Sequence, residues 1–153
     1  MNDLTPAAYA TLTQGSEVIE ADTLGPRVLV LKDGSMLKLF RTKHFLSSDT
    51  FFPYALRFAN NAELLHRRGI PTVSVIDVAR IAHLKSKSVQ YHPIPGSTLR
   101  SQGSPEGQFS EAVIQQFSVF VAGLHDQGIY FRSFHLGNVI VMDDGAFGLI
   151  DFA

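Results

Sequence analysis

The final segment of the chain, IYFRSFHLGNVIVMDDGAFGLIDFA at residues 129–153, constrains the fold more than any other part of the sequence. Two short apolar runs, VIVM and FGLI, flank Asp144-Gly145, and an Asp-Gly pair between apolar runs is typical of a tight β-hairpin. Asn138 comes directly before the first run, and Asp151 comes directly after the second. The segment therefore predicts a hairpin whose two ends carry an amide and a carboxylate.

The first half of the chain predicts three antiparallel strands followed by a helix. Val18–Asp22 and Arg27–Lys32 have strand-like composition, and Asp33-Gly34 lies between VLVLK and SMLKLF as a second hairpin signal. A helix is predicted to begin near Pro53, which suits the first helical turn. It is predicted to run to Gly69, which suits the position just after a helix end. Its N-terminal cap is predicted within Ser47-Ser48-Asp49, and its apolar stripe consists of Tyr54, Phe58, Ala62 and Leu65.

The second half predicts two further strands, a linker, a second helix and the hairpin. The strand-like segments PTVSVIDVARIAHL and SVQYHPI surround a turn at Lys85-Ser86-Lys87, and Pro93-Ile94-Pro95-Gly96 then indicates a linker. Ser110 is the predicted cap of a helix that ends near Gly128. The apolar side of that helix is predicted to consist of Val113, Phe117, Phe120, Val121 and Leu124. This order of elements predicts an α+β fold.

Composition limits the classes of function. With 45% hydrophobic and 18% charged residues among 153, the chain can form a packed core. A net charge of −1 gives no general attraction to nucleic acid, and the lack of cysteine excludes disulfides and thiolate metal sites. The N-terminus has neither a basic segment nor the apolar run of a signal peptide, and no stretch reaches the length of a membrane-spanning helix. The sequence therefore predicts a soluble cytoplasmic protein with no nucleic-acid partner.

The spacing of Arg132 and Asn138, the hairpin, and Asp151-Phe152-Ala153 resembles the catalytic loop, hairpin and Asp-Phe-Gly segment of the protein-kinase-like fold. The order of the predicted elements also resembles a kinase N-lobe followed by the first part of its C-lobe. The resemblance implies an N-lobe at residues 1–92 with an antiparallel sheet and one helix. It further implies a hinge and linker at 93–107 and a partial C-lobe at 108–153, truncated after the Asp-Phe-Gly-like segment.

The resemblance implies a site for ATP and Mg²⁺. Lys38, on the third strand, would contact the nucleotide phosphates and pair with Glu63, which a helical wheel places at the border of the buried stripe. Gly25, in the turn between the first two strands, and Met36, at the adenine position, would also lie against the nucleotide. Taken alone, Lys38 is more readily explained as a solvated lysine on a strand, and it is the combination with Glu63 and the hairpin segment that favours the nucleotide role.

The resemblance also implies roles for residues near the hairpin. Asn138 and Asp151 would ligate Mg²⁺, whereas Arg132, Ser133 and His135 would form the catalytic loop. Simpler alternatives are an Asn that finishes a turn, an Asp that caps a helix or turn, an Arg that caps a turn, and a His in a structural hydrogen bond.

Several positions depart from the kinase pattern. Ser133 stands where the catalytic Asp is expected, and a hydroxyl does not accept a proton near neutral pH as a carboxylate does. Gly25 is the single glycine of its turn, which limits backbone N–H contacts to phosphate. The thioether of Met36 would narrow the nucleotide pocket, and Ala153 replaces the last Gly of the Asp-Phe-Gly motif.

The segments LKLF, NAELLHRRGIP, GSTL, LHDQGI and HLGN resemble the bacterial lipopolysaccharide-core sugar kinases, which include proteins labelled as toluene-tolerance proteins, and the related aminoglycoside phosphotransferases. The resemblance implies a Gram-negative bacterial phosphotransferase that acts on heptose or a related envelope sugar, free or within a glycolipid. The basic run KLFRTKH at 38–44 is either a solvated connection or a contact with a phosphorylated sugar or with the inner face of the inner membrane.

Two alternatives stay open. Ser133 favours a pseudokinase, a nucleotide-binding or regulatory module that transfers no phosphate. The second alternative is a fragment, because the acceptor site of this fold is built largely from residues after the Asp-Phe-Gly segment. On the second interpretation we expect no sugar phosphorylation, and an exposed patch around Phe117, Phe120 and Phe152 that promotes self-association.

Overall fold

The computed structural model describes residues 1–41, 53–104, 107–132 and 134–152. These residues form two compact units. The first unit comprises the described residues within 1–63 and 73–93, and the second comprises those within 64–72 and 94–152. Helix α2, Tyr54–Arg67, contributes residues to both units.

The first unit contains a six-stranded mixed sheet. Its strands are β1 (Asn2–Asp3), β2 (Glu17–Asp22), β3 (Gly25–Val30), β4 (Met36–Arg41), β5 (Ser74–Ile81) and β6 (Ser86–His92). The strand order is β1-β5-β6-β4-β3-β2, with β1 parallel to β5 and the other neighbours antiparallel. The predicted three-stranded start, β2 to β4, is confirmed. A 3₁₀ turn at Ala82–Leu84 and a left-handed Lys85 connect β5 to β6, close to the predicted turn.

One face of this sheet carries the aliphatic core of the first unit. Helix α1, Pro6–Leu12, lies against that face, and its cap is Thr5, whose hydroxyl accepts the backbone N–H of Ala8. The sequence analysis missed α1, although Thr5 followed by Pro6 is a cap and first-turn signal. The core consists of Leu29, Leu31, Leu37, Leu39 and Ile81, with Leu4, Tyr9 and Leu12 packed against it.

The opposite face of the sheet carries an aromatic cluster. Phe58 of α2 is buried, and its ring centroid lies 6.0 Å from that of Phe40 and 5.4 Å from that of Tyr91. The predicted apolar stripe of α2 is confirmed at Phe58, Ala62 and Leu65, all of which are buried, and is wrong at Tyr54, which is 40% exposed. The α2 cap predicted at residues 47–49 lies outside the described residues.

The second unit is built from a three-stranded sheet and two helices. The sheet has the order β7-β8-β9, formed by β7 (Ser97–Thr98), β8 (Val139–Val141) and β9 (Phe147–Leu149). The predicted hairpin at Asp144-Gly145 is confirmed, because the Asp144 carboxylate accepts the backbone N–H of Ala146 in the β8–β9 turn. Helix α3, Leu99–Gln102, and β7 both lie within the segment that was predicted to be a linker.

Helix α4, Glu111–Asp126, has the predicted cap, since the Ser110 hydroxyl accepts the Val113 backbone N–H at 3.3 Å. The rings of Phe117 and Phe120 both lie 5.5 Å from that of Phe147, so the two residues are half-buried. The most exposed apolar side chains of α4 are instead Ile114, at 53%, and Val119, at 69%. Within the described ranges, no helix combines the length and apolar character needed to cross a membrane.

The turn between β3 and β4 depends on one carboxylate. Asp33 accepts the Ser35 hydroxyl at 2.6 Å and the Ser35 backbone N–H at 2.9 Å, and the fully buried Ser35 also accepts the side-chain amide of Gln90. The hydrogen bond from the Ser35 hydroxyl is the main reason why the pKa of Asp33 lies below its ordinary value, and the Ser35 backbone N–H adds to it.

We expect Asp33→Asn to lower the urea midpoint of unfolding at pH 7. A carboxylate whose pKa is lowered by folding stabilises the native state above its unfolded-state pKa, and this stabilisation is lost as pH falls through the folded-state pKa. The difference between wild type and variant should therefore shrink progressively below about pH 4. Asp143→Asn, a change at an exposed Asp in the other hairpin turn, is the control. A difference that stays constant with pH would show that the Asp33 charge is not involved.

Candidate functional site

The base of the β8–β9 hairpin brings together the two residues predicted to bind Mg²⁺. Val139 pairs with Leu149, and the next hydrogen bond runs from the Ile150 backbone N–H to the Asn138 carbonyl at 3.0 Å. Asn138 therefore lies opposite Ile150, and Asp151 is the next residue along that segment. The Asn138 side chain is buried, whereas Asp151 is exposed. The amide and the carboxylate come from adjacent chain segments, as the hairpin prediction implied.

Asp151 has an unusual backbone conformation. Its φ of +57° lies in the left-handed region, which costs an L-residue with a β-carbon roughly 1–2 kcal/mol and which Asp and Asn tolerate better than most residues. Flanking contacts hold it there, because Ile150 donates to Asn138 and Phe152 is buried. Strain of this kind concentrates at functional sites and supports a functional hypothesis for the carboxylate.

The loop before β8 is held by backbone hydrogen bonds and by His135. The Asn138 N–H donates to the His135 carbonyl at 2.8 Å, and the Gly137 N–H donates to His135 Nδ1 at 3.1 Å. Since Nδ1 accepts a backbone N–H, the neutral imidazole carries its hydrogen on Nε2. The structural hydrogen bond that was one of two alternatives for His135 is therefore present. The ring is exposed, so Nε2 is accessible for a second role.

The structure places a further cation beside this loop. A β-carbon on Gly137 would lie 3.1 Å from the His135 ring and 3.6 Å from Arg100 Cζ, so both side chains flank the same glycine. Arg100 is exposed, and its backbone N–H donates to the Leu136 carbonyl at 3.0 Å. Sequence analysis missed Arg100 because no local pattern connects α3 with the loop. Arg132 is exposed, and Ser133 and Ala153 lie outside the described residues.

Lys38 occupies a more buried position than was expected. It lies on β4, in the interior of the sheet, between Val28 on β3 and Val89 on β6, and only 8% of the residue is exposed. Its Nζ is 5.7 Å from the ring centroids of both Phe40 and Phe58. The expectation of a solvated lysine head is wrong, because α2 covers this face of the sheet with aromatic side chains. Aromatic faces attract a desolvated ammonium group, which favours a defined position for Nζ.

The other predicted nucleotide-binding residues lie in the same unit as Lys38. Glu63 lies on the exposed part of α2, so its predicted place at the border of the buried stripe is wrong. Its pairing with Lys38 stays a prediction. Gly25 is the first residue of β3 and has a φ of +113°. Met36 is the first residue of β4; it is half-buried and lies on the same face of the sheet as Lys38. Their contacts with a nucleotide stay predictions as well.

The donor set at the hairpin base suits a hard cation. Mg²⁺ prefers oxygen ligands and is commonly bound by one or two protein groups together with substrate phosphates, so an Asn amide oxygen and an Asp carboxylate are suitable ligands. Among the described residues, no group of three or more His, Cys, Asp or Glu side chains is placed to hold a metal ion. A metal at Asn138 and Asp151 would therefore depend on ligands from a nucleotide or water.

No known family model matches this chain, and a search of curated proteins found no match.

The left-handed conformation of Asp151 predicts an unusual order of stabilities. Asp151→Gly should be more stable than Asp151→Ala by about 1 kcal/mol in urea unfolding, because glycine adopts positive φ without a steric cost. Asp143 is the matched control, since it is not among the residues with positive φ. At Asp143 the alanine variant should be at least as stable as the glycine variant. The same order at both positions would contradict the strain at Asp151.

Proposed function

We propose that this chain is an ATP-dependent phosphotransferase-like protein of the protein-kinase-like fold, related to the kinases of lipopolysaccharide-core sugars. The observation that carries the proposal is that Asn138 lies opposite Ile150, the residue before Asp151, at the base of the β8–β9 hairpin, together with the left-handed backbone of Asp151. The confirmed α+β elements are compatible with that fold, and the sequence motifs supply the link to phosphate transfer.

Each group has a separate role in the proposal. Asn138 and Asp151 hold Mg²⁺, which neutralises charge on the nucleotide phosphates when it is bound. Lys38 supplies a cation for nucleotide phosphates, and its burial among Phe40, Phe58 and the neighbouring strands raises the strength of such an interaction. Catalysis of phosphate transfer depends mainly on positioning and charge stabilisation, so these groups address the main requirement of the chemistry.

The loop around Gly137 supports a contact with the acceptor. Nδ1 of His135 accepts a backbone hydrogen bond, so Nε2 is the ring nitrogen that can contact a ligand, and Arg100 lies beside the ring. Together with Arg132, these groups give the loop a polar and cationic character that suits a sugar carrying hydroxyl or phosphate groups. Heptose or another envelope sugar, free or within a glycolipid at the inner membrane, is the proposed acceptor, although the fold alone does not determine a substrate.

A pseudokinase is the second candidate, and Ser133 is the observation that favours it. Loss of a general base typically reduces the rate 10²–10⁴-fold, so a chain with serine at this position could bind Mg-ATP with slow turnover or with none. The two candidates differ in one measurement. Formation of ADP from Mg-ATP above the level of a Lys38→Met variant supports the phosphotransferase, whereas binding without turnover supports the pseudokinase.

We expect Mg-ATP to raise the unfolding midpoint of the wild-type chain in a thermal scan. A ligand at 100 times its Kd stabilises a fold by about 2.7 kcal/mol. Lys38→Met should remove this stabilisation while leaving the chain folded, because methionine keeps the unbranched apolar stem of the side chain and loses only the charge.

Lys32→Met is the matched control, since Lys32 is an exposed lysine in the same unit. It should retain the full Mg-ATP effect. Equal loss in the two variants would indicate a general charge effect and would contradict the role of Lys38. Absence of any Mg-ATP effect in the wild-type chain would contradict the proposal as a whole.

A further inference from the structure

A cleft lies in the first unit, on the sheet face that α1 covers. Its volume is about 440 Å³, within the range of about 300–1,000 Å³ that is typical of small-molecule sites. Leu4 and Leu12 line it on the side of α1, and Leu37, Asp77, Ser88 and Gln90 line it on the side of the sheet. None of the residues proposed above for Mg-ATP lines this cleft.

The cleft contains polar groups where the sheet otherwise carries its aliphatic core. Asp77 on β5 pairs directly with Gln90 on β6, and the next pair on the same face of the sheet is Ala79 with Ser88. The same face contributes Leu37 and Leu39 to the core, and Ser88 is only 2% exposed. A carboxylate, an amide and a hydroxyl on such a face cost free energy unless water or a ligand satisfies them. Helix α1 has no buried residue, and the cleft of about 440 Å³ between it and the sheet has room for an occupant.

Hydrogen bonds fix the orientation of the Gln90 amide. The Ser35 hydroxyl donates to the Asp33 carboxylate at 2.6 Å, so its oxygen must act as the acceptor toward Gln90. The Gln90 atom that contacts Ser35 at 3.0 Å is therefore the NH₂ nitrogen, which leaves the carbonyl Oε1 as the remaining amide atom. This orientation makes Gln90 an acceptor for any further partner.

Asp77 is also an acceptor. Its Oδ1 accepts a hydrogen bond from the Asn2 side-chain amide at 3.2 Å. In the salt bridges between described residues, arginines pair with Glu20, Asp22 and Asp3, and Asp77 takes part in none of them. The carboxylate can therefore receive further donors at Oδ2 and at the remaining lone pairs of Oδ1.

We propose that this cleft binds a small primary ammonium ligand with a short apolar chain. An ammonium group has three N–H donors and no acceptor, which matches a carboxylate and an amide carbonyl. The hydrogen bond between ammonium and carboxylate is charge-assisted and is stronger than a neutral one. Leu4, Leu12 and Leu37 supply apolar surface for the chain of the ligand. An anion is disfavoured by the Asp77 charge, and a fully apolar molecule would leave the polar groups without partners.

The test uses NMR titration of the full chain, labelled with ¹⁵N, with hexylammonium chloride and with hexan-1-ol as the neutral probe of similar shape. Hexylammonium should shift the backbone amides of Leu12, Ala79 and Ser88 in a saturable manner. Hexan-1-ol should bind at least about tenfold more weakly, because it lacks the charge-assisted hydrogen bond. Asp77→Asn should reduce hexylammonium affinity by a similar factor, whereas Asp143→Asn, at an exposed Asp of the second unit, should not change it.

Ala8→Leu provides a second variant that keeps the Asp77 charge. Ala8 lies on α1 at the edge of the cleft, and leucine is a good helix former that would occupy the space of the ligand chain. This variant should weaken the binding of both probes. Equal affinity for the two probes, an unchanged affinity in Asp77→Asn, or shifts confined to residues outside the cleft would overturn the proposal. None of these outcomes depends on Mg-ATP, so failure here is distinct from failure of the proposed function.

Discussion

The placement of the candidate metal ligands depends on the hydrogen bonds that hold Leu149. Its backbone N–H donates to the Pro71 carbonyl at 2.9 Å, and its carbonyl accepts the Thr72 hydroxyl at 2.7 Å. Both Leu149 and Thr72 are buried, so these bonds form away from competing water. They tie the end of β9 to the segment after α2. Asp151 follows two residues later, and its left-handed backbone is therefore attached to a fixed strand.

Close packing strengthens the same attachment. A β-carbon on Gly148 would lie 2.5 Å from Ile94 Cδ1 and 3.0 Å from the Pro71 carbonyl oxygen, so a larger residue here would displace Ile94 and crowd the Pro71 carbonyl. Strand β9 can then reach Pro71 and Thr72 without distortion. The burial of Lys38 in the first unit has a different character, because it holds an ammonium group among Val28, Val89 and the ring of Phe58. A charge held in such surroundings interacts strongly with a ligand of opposite charge.

Local signals in the sequence predicted the elements that local chemistry determines. Four predicted features are each determined by a few neighbouring residues, and all four are confirmed. They are the Asp-Gly turns after Val30 and Val141, the Ser110 cap of α4 and the Gly69 end of α2. The base of the hairpin followed from the same reasoning, because a hairpin of fixed register places its two ends together.

The predictions that failed required long-range information. A helical wheel gives the angle of Glu63 but not the surface that α2 meets, so its exposure was not predicted. The burial of Lys38 depends on the covering aromatic residues of α2, and Arg100 reaches Gly137 only through the fold of the second unit. The short strands β1 and β7 contain too few residues for a periodic pattern to emerge.

The central claim is that the base of the β8–β9 hairpin holds the metal of a bound nucleotide. Paramagnetic broadening of ¹H–¹⁵N NMR signals by Mn²⁺, added with ATP in place of Mg²⁺, tests this directly. Strands rise about 3.3 Å per residue, so the turn at Asp143–Gly145 is well separated from Asn138 and Asp151. The account predicts broadening that is strongest for Asn138, Ile150 and Asp151 and weak for the turn. Equal broadening along the hairpin, or broadening strongest at the turn, would contradict it.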